Sequence, residues 1–141
     1  MRALTLALPL GFLLACGPSE EKQEDLGQDI SKAYSSSVCR LYSDETCVQN
    51  QSDSCGFSIS FDSRGDCSTF MWWGFLSCGD GVFQALWENE DTVQACIDEM
   101  DAVDCASDDI CPESGGSAFV NGACAEVDGL MAEFCDGDTG L

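Results

Sequence analysis

The chain has 141 residues, of which 26 are acidic, five are basic and none is histidine, giving a formal charge of −21 at pH 7. That length suits one small domain, and a field of that sign excludes nucleic acid as a partner and repels anionic lipid head groups. Without histidine the chain lacks the commonest general base, and with it the Ser-His and Cys-His nucleophile pairs.

The first 16 residues read MRALTLALPLGFLLAC. Arg2 supplies a positive start, an apolar stretch runs from Ala3 to Leu14, and the small Ala15 precedes Cys16. This layout is that of a secretory signal, and its apolar part is well short of the ~20 residues that span a bilayer as a helix. With Leu13 and Ala15 before Cys16, the segment resembles a bacterial lipoprotein signal peptide, although Leu14 is bulkier than the usual middle residue. The resemblance implies that residues 1–15 are removed and that Cys16 is acylated (palmitate among its chains) and holds the protein on a membrane. Gly17, in place of an aspartate, implies the outer membrane of a Gram-negative envelope, on its periplasmic or its surface face. The alternative is an ordinary cleaved signal with an incidental cysteine.

Residues 16–36 read as an acidic, flexible tether, since their first part holds too few apolar residues to order itself, with the fold beginning between Ile30 and Val38. Residues 37–141 form the domain. Beyond Cys16 lie ten cysteines: Cys39, Cys47, Cys55, Cys67, Cys78, Cys96, Cys105, Cys111, Cys124 and Cys135. An even number in an exported chain reads as up to five disulfides. With no histidine and no Cys-x-x-Cys pair, a metal cluster is the poorer reading, and neither a metal nor a cofactor is expected. Ten cysteines allow roughly 900 pairings, so connectivity is not readable. The four basic residues beyond Cys16 are Lys22, Lys32, Arg40 and Arg64; against 26 acidic residues they leave a side-chain charge of −22. Crosslinks offset the resulting self-repulsion at ~2–4 kcal/mol each.

Leu26 to Tyr42 has helical spacing, weakened by the serine run Ser35–Ser37. Phe57, Ile59 and Phe61 alternate with serines as in a strand, which Arg64-Gly65 could close into a hairpin. Cys67 to Cys78 is readable as a buried strand or as a helix; the helix is favoured, with Cys67, Met71, Gly74 and Cys78 as one stripe and Phe70 and Trp73 beside it. Trp72 would then point away from the stripe as an interface anchor. Ser77 to Glu88 is a second helix, with Ser77 and Asp80 as a capping box. Asp91 to Val103 is the clearest helix, with Val93, Cys96, Ile97, Met100 and Val103 on one face. Continuous helix would hold Cys96 and Cys105 about 13 Å apart, too far to bridge. Residues 120–123 give a hairpin-type turn signal, and Val127, Leu130, Met131 and Phe134 suggest a last short helix. The eleven-residue spacings Cys67…Cys78 and Cys124…Cys135, with Cys39…Cys47 set against Cys96…Cys105, hint at a weak duplication.

The expected fold is mainly α, a small disulfide-rich bundle of short helices with room for one short β-hairpin. The lipobox, the acidic tether and the pattern Ala95-Cys96-Ile97-Asp98-Glu99-Met100…Cys105 resemble the small cysteine-rich lipoproteins of myxobacterial-type Gram-negative bacteria. That resemblance implies location and architecture, and no chemistry. No phosphate loop, dinucleotide fingerprint or Gly-x-Ser-x-Gly motif is present, and no segment carries the spaced oxygens of a calcium loop. The sequence therefore points away from an enzyme and toward a membrane-anchored envelope module with structural or protein-binding roles. Weak binding of divalent cations such as calcium is the alternative.

Overall fold

In a computed structural model, which describes residues 17–55, 59–79, 81–107 and 122–135, the chain forms six helices and, among the described residues, no strand. The first, α1, runs from Glu20 to Ser43. Residues 20–36 are thus helix and not a flexible tether. The polar composition misled because the order comes from outside the segment: α1 buries Gly27, Ser31, Tyr34, Ser35 and Val38 against α4 (Val82–Glu88), α3 (Arg64–Ser77) and α5 (Glu90–Asp101). Tertiary packing outweighs intrinsic propensity for such a helix. Its small residues allow unusually close approach; a Cβ at Gly27 would stand 1.8 Å from the Phe83 carbonyl oxygen. Of the serine run that weakened the helical pattern, Ser35 donates its hydroxyl to the Ser31 carbonyl within the helix, as Ser31 does to the Gln28 carbonyl. Glu20 and Glu21 in the first turn suit the positive end of the helix dipole.

Asp44 stops α1 and starts α2 (Glu45–Cys55), its carboxylate accepting from the Thr46 and Cys47 N–H groups. Before α3, Phe57 lies outside the described residues, and Ile59 to Phe61 form no strand; Phe61 donates its N–H to the Tyr42 carbonyl. Gly65 falls inside the first turn of α3 and closes no hairpin. The helix starts there because Ser63 caps it, accepting from the Asp66 N–H at 3.1 Å and donating to the Asp66 carboxylate at 2.7 Å.

The helix expected over Ser77 to Glu88 is shorter than its pattern. Ser77 ends α3, its hydroxyl bonded back to the Gly74 carbonyl, and α4 begins only at Val82. Gly79 and Gly81, at φ 75° and 103°, turn the chain between them; Asp80 lies outside the described residues. Helix α5 buries Val93, Cys96, Ile97 and Met100, the face expected of it. In the turn signal over 120–123, Val120 and Asn121 lie outside the described residues, while Gly122 leads straight into α6 (Ala123–Phe134). There the Ala123 N–H donates to the Glu99 carboxylate at 3.2 Å. Val127 is buried, and Leu130, Met131 and Phe134 pack partly buried against the core, as their spacing predicts.

Among the described residues four disulfides staple the fold: Cys39–Cys67, Cys47–Cys105, Cys78–Cys135 and Cys96–Cys124. The fold is thus a small disulfide-rich helical bundle, and Cys96 does not pair with Cys105. The bridges obey a repeat. Cys39–Cys67 and Cys96–Cys124 each span 28 residues, and a shift of 57, the separation of Cys78 and Cys135, carries the first of these bridges onto the second. Cys78 is bonded to its own equivalent, and Cys47 is bonded to Cys105 at a separation of 58. The repeat extends to the helices, since α1 corresponds to α4 and α5 together and α3 to α6. It does not extend to their faces: where α3 buries Met71 and Phe75, α6 has Asp128 and Ala132 at the equivalent positions.

Candidate functional site

Helix α3 is the part of the surface that stands apart. From Cys67 to Gly79 no side chain is charged, in a chain with 31 charged residues. One face carries the buried Cys67, Met71, Phe75 and Cys78. The opposite face carries Phe70, Trp73 and Leu76, which are 49%, 66% and 47% exposed. At about 100° per residue these three sweep an arc of about 120° and rise about 9 Å along the helix. Phe70 is propped by Phe61, the ring centroids 5.5 Å apart.

Trp72, expected as the exposed anchor, is instead partly buried against the core. Its ring lies 5.7 Å from that of Phe83, and the Lys32 ammonium sits over it at 6.0 Å. The exposed indole is that of Trp73. Both tryptophans stand about 130° from the middle of the Cys67–Cys78 stripe, on opposite sides of it. Helical spacing cannot choose between them; the position of α4, which brings Phe83 to one side only, does.

Helix α3 runs alongside α1 in the opposite direction. Its start is bonded to Cys39 near the end of α1, Phe75 meets the Tyr34 ring midway, and its end lies beside the beginning of α1. There Glu20, Glu24, Leu76, Gly79 and Phe83 line one cleft of about 490 Å³. The exposed strip therefore ends next to the point where the chain leads back to Cys16.

Several ionisable groups elsewhere have distinct surroundings. Arg40 donates to the Met100 carbonyl in the last turn of α5, placing a cation at the negative end of that helix, 3.9 Å from Asp101. Burial, then the Asp128 carboxylate, then Tyr42 push the Tyr34 hydroxyl above the ordinary tyrosine range. Burial also raises the Asp128 carboxyl. Asp104 is held below the ordinary carboxylate value by the Ser107 hydroxyl and then the Ala106 N–H. Asp44, Cys47 and Cys105 bring a carboxylate oxygen and two sulfurs within 4.8 Å of one another. The sulfurs are bonded to each other, so this group offers no thiolate to a metal.

Eight of the ten expected bridging cysteines are thus placed. Cys111 lies outside the described residues, as does Cys16, and Cys55 closes α2. No helix among the described residues is long and apolar enough to cross a membrane. No protein-family model, no curated protein and no solved structure matches the chain.

Proposed function

We propose that the chain is a lipid-anchored protein of the bacterial cell envelope, held at the outer membrane through Cys16 and acting as a non-enzymatic structural or interaction module. The observation that carries this reading is the parity of the cysteines. Of eleven, ten follow Cys16, and eight of those ten are joined in four bridges. An exported chain bridges its cysteines, so the one at the end of the leader is left for different chemistry, and Leu13-Leu14-Ala15-Cys16 is the pattern that acylation reads. The stapled bundle suits a domain with so little positive charge, because each bridge offsets part of the self-repulsion. The non-enzymatic reading rests on the missing histidine and on the lack of a phosphate loop, dinucleotide fingerprint or Gly-x-Ser-x-Gly motif.

Mass spectrometry of the intact protein, expressed with its own leader in a Gram-negative host, tests this directly. The expected mass is that of residues 16–141 plus acyl chains on Cys16. A mature chain beginning at another residue, or carrying an unmodified Cys16, overturns the reading.

A further inference from the structure

The uncharged face of α3 needs an occupant, and the geometry of the anchor supplies one. Only Gly17, Pro18 and Ser19 separate Cys16 from α1, a reach of about 10 Å when extended. An acylated Cys16 therefore brings the start of α1 to the bilayer, and the cleft shared by Glu20, Glu24 and Leu76 brings the end of the α3 strip with it. We propose that Phe70, Trp73 and Leu76 dock into the head-group region of the membrane that carries the anchor, so that the bundle lies on its side with α3 against the lipid. The proposal rests on the lipid-anchor reading above.

Three features fit this occupant. Trp73, the most exposed of the three, is of the residue type that favours the membrane–water boundary, and the strip's rise of about 9 Å fits a helix lying in the interface. The polar side chains on the same face are already satisfied: the Thr69 hydroxyl donates to the Gly65 carbonyl and the Ser77 hydroxyl to the Gly74 carbonyl. Removing them from water therefore leaves no hydroxyl proton unbonded. Tethering makes docking intramolecular, so weak insertion of a short strip suffices. The surface must be zwitterionic, because Glu20 and Glu24 line the cleft at the end of the strip, and anionic head groups repel them.

The test uses the full-length acylated protein in phosphatidylcholine vesicles whose acyl chains carry bromine, which quenches nearby indoles. The chain has three tryptophans. Trp72→Phe with Trp87→Phe leaves Trp73 alone, and Trp73→Phe with Trp87→Phe leaves Trp72 alone. Trp73 is expected to shift its emission to the blue and to be quenched, whereas Trp72, covered by Phe83 and Lys32, is not. Leu76→Glu, a surface change whose fold circular dichroism verifies, is expected to abolish the quenching while the protein stays on the vesicle. Replacing half of the lipid with phosphatidylglycerol is expected to weaken it. An acylated, vesicle-bound protein whose Trp73 emits as in water overturns docking and leaves the anchor standing. A chain without an acyl mass on Cys16 overturns both. A concentration-dependent dimer that shields Trp73 without lipid makes a second copy the occupant and also overturns the proposal.

Discussion

Replacing Gly27 with alanine tests the packing that orders α1. A Cβ there would stand 1.8 Å from the Phe83 carbonyl oxygen, 2.4 Å from its carbon and 2.8 Å from its Cα. These are backbone atoms and cannot rotate aside. Ordinary contact begins near 3.4 Å, so α1 and α4 must separate by about 1.6 Å, disturbing the packing of Phe83 and Leu86 at this contact. Overpacking a tight contact costs ~1–3 kcal/mol, and backbone against backbone places this site at the upper end. Alanine returns about 1 kcal/mol of helix propensity, leaving a net loss of about 2 kcal/mol. For a domain of this size that lowers the melting temperature by about 8 °C. Gly129 in α6 is the control, since nothing lies within 4 Å of a Cβ built there. Gly129→Ala keeps the propensity gain and is expected to raise the melting temperature by up to about 4 °C. Thermal unfolding followed by far-UV circular dichroism, on protein shown to have no free thiol among the bridging cysteines, measures both. A Gly27→Ala chain as stable as its parent would refute the close approach of α1 and α4.

Two further outcomes follow from the described geometry. Burial raises the Asp128 carboxyl above its ordinary value of 3.8 in the folded chain. The stability this group contributes is therefore fully present below that value and is lost as pH rises through the raised one. Asp128→Asn should accordingly stabilise the protein at pH 7, with the advantage over the parent closing as the pH falls below 3.8; an advantage that persists or grows in acid contradicts the assignment. Asp104 works in the opposite direction, its contribution being lost as pH falls through its lowered value. The repeat also predicts the fifth bridge. Cys55 and Cys111 are the two cysteines left over beyond Cys16, and their separation is close to the 57 of Cys78–Cys135, which joins equivalent residues, and to the 58 of Cys47–Cys105. Non-reducing peptide mapping should recover them on one linked pair of peptides, and free thiol at either position would break the pattern.

Much of the helical content was legible in the sequence, because period is local. Val93, Cys96, Ile97 and Met100 share the buried face of α5, and Val127, Leu130, Met131 and Phe134 pack against the core from α6. Boundaries were less legible. The start of α3 is written in Ser63 and Asp66, a capping signature three residues apart that the alternating Phe57, Ile59 and Phe61 overshadowed. The helix α3 ends at Ser77, and the backbone turns at Gly79 and Gly81 although the amphipathic pattern runs on. The beginning of α1 was not legible, since Glu20 to Asp29 holds almost nothing apolar to bury.

By itself the sequence carried composition and order: a leader-like stretch ending at Cys16, ten further cysteines, and a formal charge of −21. Those properties depend on residue type and order, and no fold is needed to read them. Only the tertiary structure decided which cysteine meets which, that only three residues separate α1 from Cys16, and that Trp73 faces solvent while Trp72 is partly buried. The reason is the same in each case. Pairing, ordering of a polar helix and the burial of one of two adjacent indoles all depend on what a neighbouring helix brings alongside, which the period of a single helix does not specify.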